Sequence, residues 1–596
     1  MANFWTAEDK IPIGQTKIAV PAEHGLDYNP GQKIEFHIPS SVNFFQPKES
    51  YLKFDVELSN PSNPIFLQLD GQLGGQVLIR DLRIYSGGAG RVLLEEYQNY
   101  NVLTAVKYDY ELNDTIKQKR ALTEGCVYYD ERNRGTTGLT QDTNNNLNNN
   151  PYFKSPATGT RDGTSGEVSF KKCKCLLPLN TGIFSNDKIF PVGLTEGLIV
   201  EIILEDAKHC IQQLDTCSHH RKLTANPLFL SCDTLADGTA PPADPNTAPL
   251  YAPGGNSAKA FSAFYIRRDN TMGINASVGG SQIPLAIGQH VKFLKSNTNV
   301  VNPSIINSSH GVIQSIDYEA GTKNAVKITL TQAYAPTATM DDQMILIDSS
   351  IGNATTAFRP TYKLTDCEFI VQKVSMPQGY TSKLASMMKE GGAMNYDFLS
   401  YTNYKTSQIA SEKLTTLRIP LTQSRAKSVL AIPCDASVYT QDQIIRGVST
   451  VIEYYDRAEY DFRGANHSVR PGLVGITDNL TQYQLFYDGK LNPSRKVKCD
   501  RISNLTSIDQ QPLIELEKAL VMGGIKPHSL LNFRKNFVIG RALSLQDGVY
   551  DTRGRDFQLQ VEYQETTPPQ KNKLWNTWCG HLRRIVISGN SISVVI

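Results

Sequence analysis

Five histidines and cysteines lie close together before the midpoint of the chain: His209, Cys210, Cys217, His219 and His220. Imidazole nitrogens and thiolates are ligands that zinc prefers, so this group is a candidate zinc site. Its spacing matches no standard zinc finger, however, and polar loops often carry isolated histidines and cysteines. We therefore predict neither a metal site nor a cofactor site in this chain.

A second candidate is the pair Cys173 and Cys175. Residues two apart on a β-strand have their side chains on the same face, so this pair could bind a metal ion or bond to a partner chain. Buried, free thiols are the more frequent role of such cysteines. The ten cysteines are scattered along a long chain, which favours free thiols in a reducing compartment.

Two glycine-rich segments, residues 71–75 (GQLGG) and 87–90 (GGAG), have the composition of phosphate-binding loops. Neither follows a strand and opens a helix, and the motif G-x-x-x-x-G-K-[ST] is absent, so we interpret both as turns. The catalytic motifs H-E-x-x-H and G-x-S-x-G are absent too. No spacing pairs two acidic residues as acid and base. The sequence predicts no catalytic residue, and we expect that the protein is not an enzyme.

Basic residues form a cluster that could contact nucleic acid: Arg495, Lys496, Lys498 and Arg501, with Arg534 and Lys535 further along. Binding would require these charges to lie on one face. Their alternative role is in a solvated loop and strand edge, where lysine prevents unwanted strand pairing. The formal net charge of the chain is only +2, which gives no general attraction to nucleic acid or to an anionic membrane.

Two aromatic pairs could lie at an interface between subunits: Phe44 with Phe45, and Trp575 with Trp578. Aromatic side chains are enriched at such interfaces. The hydrophobic core is an equally good place for all four, so the sequence leaves both roles open.

The elements that position these residues follow from an alternating pattern. Residues 33–38 (KIEFHI) and 52–58 (LKFDVEL) alternate between apolar and polar side chains. Neighbours on a strand point to opposite faces, so this pattern predicts strands with one buried and one solvated face. Antiparallel sandwiches are built from such strands. The pattern recurs in the second half, for example in residues 556–563 (DFQLQVEY).

The chain has 596 residues, whereas hydrophobic cores usually stop growing near ~250–300 residues, so we expect two large domains. The first would span residues 1–375 and the second residues 376–596. The first would contain an Asn-rich excursion at residues 134–166 and a small β insertion at about residues 258–352.

No apolar run reaches the ~18–20 residues of a membrane span, and residues 1–20 lack the pattern of a secretory signal.

Each half supplies roughly eight strands, the number in a jelly-roll sandwich, without the strand–helix alternation of Rossmann or TIM folds. Apolar residues at helical spacing predict short helices at residues 94–108 and 512–522, and a further short helix is expected at residues 382–389. The sequence therefore predicts an all-β protein. It would contain two jelly-roll sandwiches in tandem, with short helices in loops and a small β insertion.

Three segments carry a resemblance to a known family. Residues 175–207 (CLLPLNTGIFSNDKIFPVGLTEGLIVEIILEDA) resemble the strand–helix–strand segment of double jelly-roll major capsid proteins, in which a Leu-Pro loop and short helix precede a long apolar strand. Residues 480–493 (LTQYQLFYDGKLNP) and residues 537–561 resemble matching parts of the C-terminal jelly roll. In size and layout the chain is most similar to capsid proteins of virophages of the Sputnik and mavirus kind, with polinton-like viruses nearby.

This resemblance implies two jelly rolls side by side, standing perpendicular to a capsid shell. It implies a homotrimer that forms a pseudo-hexagonal capsomer and builds the icosahedral shell of a virophage-like DNA virus. Its partners would be neighbouring capsomers, penton and minor capsid proteins, and packaged DNA at the inner face. The protein would belong to the virion and assemble in the cytoplasm of the host cell.

The residues alone also allow a different class of function. Lectins and many glycan-active modules are β-sandwiches, so the chain could be a carbohydrate-binding or glycan-active multi-domain protein. The missing secretory pattern weighs against this alternative.

Overall fold

The computed structural model describes residues 12–59, 67–70, 73–88, 90–112, 116, 120, 123–125, 173–213, 229–232, 261–267, 290–295, 311–317, 325–334, 343–347, 361–436, 470–499, 511–528, 536–543, 548–566, 568–569, 571–589 and 591–596. Within these ranges the chain is mostly β-strand, and all the strand pairs are antiparallel. No helix in this part of the chain is long and apolar enough to cross a membrane.

The strands of the first half, in chain order, are β1 (Gly14–Pro21), β2 (Asp27–Tyr28), β3 (Lys33–Ile38), β4 (Tyr51–Ser59), β5 (Leu67–Leu69), β6 (Ile79–Ser86), β7 (Leu93–Tyr97), β8 (Cys173–Leu177), β9 (Leu198–Leu204), β10 (Ile211–Gln213), β11 (Phe229–Cys232), β12 (Phe261–Arg267), β13 (His290–Lys295), β14 (Gly311–Asp317), β15 (Ala325–Tyr334), β16 (Gln343–Ile347) and β17 (Thr361–Ser375). Those of the second half are β18 (Ala393–Gln408), β19 (Leu414–Arg418), β20 (Ala426–Asp435), β21 (Leu480–Tyr487), β22 (Lys490–Leu491), β23 (Val497–Lys498), β24 (Ile539–Ala542), β25 (Phe557–Tyr563), β26 (Lys573–Ser588) and β27 (Ser591–Val595). The α-helices are α1 (Tyr100–Glu111), α2 (Ala207–Cys210), α3 (Gln378–Lys389), α4 (Arg470–Leu473) and α5 (Gln511–Met522).

The first half forms a sandwich from two sheets, with the strand orders β1–β17–β4–β8 and β3–β9–β6–β7. Leaving aside the short β2 and β5 and the strands between β9 and β17, one sheet contains the first, eighth, third and sixth strands along the chain. The other contains the second, seventh, fourth and fifth. The rings of Phe36 in one sheet and Phe369 in the other are 5.8 Å apart, so the sheets pack face to face. This is the topology of a jelly roll.

The second half repeats this order. Its sheets are β18–β26–β20–β24 and β19–β25–β21–β22, which are again the first, eighth, third and sixth strands and the second, seventh, fourth and fifth, leaving aside the short β23 and the terminal β27. Tyr563 in the second sheet donates a hydrogen bond of 2.9 Å to Gln408 in the first. The predicted all-β fold with two jelly rolls in tandem is confirmed.

All strand pairs among the described residues join strands on the same side of α3, which lies between β17 and β18. This pairing supports the division into residues 1–375 and 376–596, which stays our proposal. We call the two sandwiches the first and second roll.

A separate sheet is inserted between the seventh and eighth strands of the first roll. Its strand order is β11–β12–β15–β14–β13–β16. The predicted insertion began near residue 258, but the sheet also includes β11, which ends at Cys232. The Asn-rich excursion at residues 134–166 lies outside the described residues.

The alternating segments form the predicted strands, and Ile34, Phe36 and Ile38 of β3 are all buried. One detail of that prediction is wrong, because Glu35 was expected on the solvated face but is only 3% exposed. Its carboxylate is covered by cationic and imidazole groups, with 3.1 Å from Glu35 to Lys33, 2.7 Å to His37 and 3.2 Å to Arg91.

The predicted helix at residues 94–108 is wrong in its first part. Residues 93–97 form β7, which pairs with β6, and the helix begins only at Tyr100. Asn99 separates the two elements in a left-handed conformation with φ 54°. The other two helices include the predicted residues, as α3 and α5.

Each roll carries a helix in the connection between its fifth and sixth strands. In the first roll this helix is α1, which follows β7, and in the second it is α5, which lies between β22 and β24. The two helices therefore occupy equivalent places in the topology of the two rolls.

Candidate functional site

The two rolls meet where β7, the fifth strand of the first roll, packs beside β18, the first strand of the second. Side chains from residues 95–110 and 180–190 of the first roll reach β18, β26 and Asn536 of the second. We call this contact the seam. It fixes one side of each roll against the other.

Glu95 on β7 is fully buried in the seam. Its carboxylate accepts hydrogen bonds from the Gly182 N–H at 2.8 Å, the Ile183 N–H at 3.0 Å and the Ser400 hydroxyl of the second roll at 2.7 Å. Burial raises the pKa of Glu95, and these hydrogen bonds offset part of that effect. The two oxygens of the carboxyl group thus accept three hydrogen bonds, one of them from the second roll. The buried side chain therefore joins the rolls with its polar atoms paired.

Gly182 permits the close approach at this point. A Cβ atom there would lie 2.1 Å from the Leu399 carbonyl oxygen of the second roll and 2.6 Å from Glu95 Oε1. Backbone cannot move as freely as a side-chain tip, so only glycine fits here without shifting one roll against the other.

Aromatic side chains fill the rest of the seam. The rings of Tyr97 and Trp578 are 6.2 Å apart, and those of Phe190 and Tyr396 are 5.1 Å apart, each pair joining the two rolls. Trp578 is fully buried. This dry contact is of the kind that makes aromatic pairs stabilising beyond their buried area.

Amide side chains extend the seam on either side of these rings. The Asn99 side chain donates to Asn576 at 2.8 Å, and Lys405 donates to Asn99 Oδ1 at 3.0 Å. At the end of α1, the Tyr110 hydroxyl donates to the Asn536 carbonyl, and Asn536 Nδ2 donates to Asp109 at 3.0 Å. The seam therefore combines packed aromatic rings with buried amide groups that are hydrogen-bonded across it.

Two basic side chains of β26, those of His581 and Arg583, lie close to the seam. Arg583 is 6% exposed, and its Nε atom forms no hydrogen bond with any described residue. Burial lowers the pKa of Arg583, and the charge of Glu95 opposes this effect. Burial, together with the charge of Arg583, also lowers the pKa of His581 to about 3, so this imidazole is neutral at physiological pH.

The second roll has counterparts of the elements that the first roll contributes to the seam, and these counterparts are exposed. The α1 helix is buried along most of its length and contacts α4 of the second roll. Its counterpart α5 leaves Ile514 49% exposed and Val521 54% exposed. In β22, the counterpart of β7, Leu491 is 50% exposed. Arg541 bonds to both Glu515 of α5 and Asn492 beside β22, which brings α5 and the end of β22 close to one another. We call Leu491, Ile514 and Val521 the open face.

The first roll also leaves its first strand open. The β1 strand lies at the edge of its sheet with most side chains exposed or half-buried. Beside it, Ile13 is 72% exposed and Leu26 is 89% exposed. The counterpart of β1 in the second roll is β18, which the seam covers.

The four aromatic candidates all lie in the interior. Phe44, Phe45, Trp575 and Trp578 are buried, with Phe45 packed 5.6 Å from Phe190. The core role, which the sequence left open, is therefore the observed one. Trp578 serves an interface, but one between two rolls of the same chain.

His209 and Cys210 form the end of the short helix α2 and are buried, whereas Cys217, His219 and His220 lie outside the described residues. Burial raises the pKa of the Cys210 thiol well above its usual value. The His209 ring lies 3.1 Å from Glu205. Burial raises the pKa of Glu205, but the hydrogen bonds from His209 and Asn101 more than offset it. Glu205, Asp206 and His209 form a group that the sequence pattern of histidines and cysteines did not predict.

The remaining candidates have structural roles where they are described. Cys175 is a buried free thiol, and Gly75 packs against it, since a Cβ on Gly75 would lie 2.9 Å from its sulfur. The side chain of Cys173 lies outside the described part. Gly74 and Gly75 belong to a short 3-10 helix at Gly74–Leu78, whereas Gly87 and Gly88 lie in the predicted turn, between β6 and β7.

Only part of the basic cluster is described: Arg501, Arg534 and Lys535 lie outside the described residues. Arg495, Lys496 and Lys498 are exposed. Lys496 forms an ion pair with Glu562, which neutralises part of the cluster. Contact between this basic cluster and nucleic acid therefore stays a prediction.

Comparisons with known proteins give matches in structure. No protein-family model and no curated protein sequence matches the chain. The major capsid protein of Faustovirus has a TM-score of 0.44 and 7% sequence identity, covering 98% of this chain and 92% of that one. The major capsid protein of mavirus has a TM-score of 0.34 and 9% identity, covering 99% and 93%. A chain of the Sputnik virophage has a TM-score of 0.36 and 10% identity, covering 99% and 90%. The similarity extends over nearly the full chain.

Proposed function

We propose that the protein is a major capsid protein with a structural, non-enzymatic role. Three copies would form a pseudo-hexagonal capsomer, and capsomers would tile the icosahedral shell of a virophage-like DNA virus. The two jelly rolls with one strand order, together with the sequence resemblance of residues 175–207 and 480–493, support this proposal.

The observation that carries the proposal is the difference between the covered and open sides of the rolls. The seam joins the fifth-strand side of the first roll to the first-strand side of the second. The matching sides that remain, the open face of the second roll and β1 of the first, are exposed and carry large apolar side chains. The β1 side of a second copy can meet the open face of this chain. This contact would resemble the one between β18 and β7 within a single chain.

Such a contact is heterologous, because two different patches meet. Heterologous contacts form closed rings when the rotation between neighbours closes. A ring of three copies would contain six similar rolls, joined by alternating contacts within and between chains. One gene product can then occupy a hexagonal lattice position, which is what a shell of many identical capsomers requires.

Further partners follow from this role. Neighbouring capsomers, penton proteins and minor capsid proteins would contact the outer sides of the ring, and packaged DNA would face its inner end, near residues 495–498. Assembly would take place in the cytoplasm of the host cell, and the protein would be a component of the virion. No observation on the described residues favours the carbohydrate-binding alternative.

The open face gives the test. Val521→Asp places a charge at the centre of the proposed contact and should convert trimers to monomers at micromolar concentration, measured by size-exclusion chromatography with light scattering. Burial of an unpaired carboxylate at an interface costs several kcal/mol, enough to dissociate most complexes. The matched control is Val549→Asp, because Val549 is similarly exposed, at 45%, but lies outside the open face.

The control should leave the trimer intact. If both variants remain trimeric, the second copy does not dock on the open face. If the unaltered protein is a monomer under these conditions, the capsomer proposal itself is wrong.

A further inference from the structure

Glu205, Asp206 and His209 form a compact group where β9 ends and α2 begins. Glu205 Oε1 lies 3.1 Å from His209 Nδ1 and accepts a hydrogen bond of 3.0 Å from the Asp206 N–H. Glu205 is 3% exposed and His209 is 6% exposed, so these two side chains are held in the interior. The four-residue spacing of Glu205 and His209 brings them to the same side of the helical turn.

The third member differs from these two. Asp206 is exposed, and its carboxylate forms no hydrogen bond or ion pair with any described residue. One ligand atom from each of the three side chains lies within 4.8 Å of the other two. A Glu–His pair alone accounts for two of these groups but gives no partner for the Asp206 carboxylate beside them.

We propose that Glu205, Asp206 and His209 bind a divalent transition-metal ion, with zinc as the best fit. Imidazole nitrogens and carboxylate oxygens are both zinc ligands, and these three residues would leave the fourth position to water. The exposed Asp206 provides the route by which a hydrated ion enters, and the buried pair supplies the fixed ligands. A divalent ion also relieves the repulsion between two adjacent carboxylates.

Groups around Glu205 hold this ligand in place. Asn101 Nδ2 donates to Glu205 Oε2 at 2.9 Å, and the Tyr362 hydroxyl donates to the Glu205 carbonyl oxygen at 2.5 Å. Partners that orient ligand carboxylates in this way are a regular feature of metal sites. Tyr362 belongs to β17, so the site connects the seventh and eighth strands of the first roll, between which the inserted sheet lies. This inference is independent of the capsid proposal.

The test uses the full chain and zinc chloride, with isothermal titration calorimetry for affinity and elemental analysis for the number of ions bound per chain. Asp206→Asn keeps the buried Glu–His pair and should weaken zinc binding at this site at least tenfold. His209→Gln should abolish it while keeping a hydrogen-bond donor for Glu205. The matched control is Asp187→Asn, an equal change of charge at a carboxylate whose side chain is 82% exposed.

Cysteines and histidines elsewhere in the chain can also bind zinc, so the decisive result is loss of one equivalent in the Asp206 variant with an unchanged circular dichroism spectrum. With cobalt in place of zinc, this equivalent should lack a thiolate charge-transfer band, because no cysteine takes part. The proposal is overturned if the Asp206 variant binds as many ions as the unaltered chain with equal affinity, or if the chain binds no zinc.

Discussion

The two rolls share one strand order, but equivalent parts of them have different surroundings. The α1 helix of the first roll is covered by the second roll, whereas α5 at the same place in the second roll exposes Ile514 and Val521. Likewise β18 is covered, whereas its counterpart β1 is an exposed edge. Because the topology is the same, the difference in burial shows which sides of the rolls contact each other within one chain and which sides remain exposed.

A second difference concerns the connection between the seventh and eighth strands. In the second roll β25 ends at Tyr563 and β26 begins at Lys573, whereas in the first roll β9 ends at Leu204 and β17 begins only at Thr361. The closure entropy of a loop grows slowly with its length, so a sheet can be inserted there without unfolding the roll. The long insertion belongs to one roll and leaves both strand orders intact.

The largest expected effect comes from breaking the covered side. Trp578→Ala should lower the free energy of unfolding by about 3–5 kcal/mol, because it removes a large, fully buried ring that contacts Tyr97 of the other roll. Urea unfolding followed by circular dichroism measures this loss. Amide hydrogen exchange should also rise in α1, which then resembles the uncovered α5. A loss under 1 kcal/mol would mean that the rolls do not depend on this contact.

A smaller effect sharpens the same comparison at one backbone position. Gly182→Ala should destabilise the chain by about 1–3 kcal/mol, since its new methyl group meets the Leu399 carbonyl oxygen across the seam. Thermal unfolding measures the change. Gly90→Ala is the control, because no heavy atom lies within 4 Å of a Cβ there. Equal stability of the two variants would contradict the close packing of the seam.

The smallest effect concerns the second strands, of which only that of the first roll buries an acidic side chain among the described residues. Burial alone would raise the pKa of Glu35, but hydrogen bonds from His37 and Lys33 and the charge of Arg91 lower it to about 2. A carboxylate with a depressed pKa stabilises the fold above its unfolded value and loses this contribution as pH falls toward its folded value. Glu35→Gln should therefore reduce the loss of stability between about pH 6 and pH 3 by roughly 1–2 kcal/mol, measured by urea unfolding at each pH.

Asp551→Asn is the matched control for this pH dependence. The hydrogen bond from Arg553 lowers the pKa of Asp551 to about 2 as well, but both side chains of the pair are exposed and only two residues apart in sequence. Such a pair contributes little to folding in water. A pH profile that shifts equally in both variants would show that burial of Glu35 does not matter.

Strands were predictable from sequence where one face of a sheet is buried and the other solvated, as in residues 33–38. A run that is apolar on both faces, residues 198–204, forms β9, which is the long apolar strand of the segment 175–207. The pattern failed at residues 94–108, because a short strand and a helix joined through Asn99 can together mimic helical spacing.

The seam could not be predicted, since Glu95, Gly182 and Ser400 are brought together only by the packing of the two rolls. Glu205 and Asp206 lie four and three residues before His209 in sequence, but the burial of Glu205 and His209 cannot be read from that spacing.

Electron microscopy of the purified protein in negative stain tests the central claim most directly. The account predicts particles with threefold symmetry and six similar lobes, in which the covered and open sides of neighbouring rolls alternate around the ring. Two-lobed particles would contradict it, because such a particle is a single chain of 66.1 kDa.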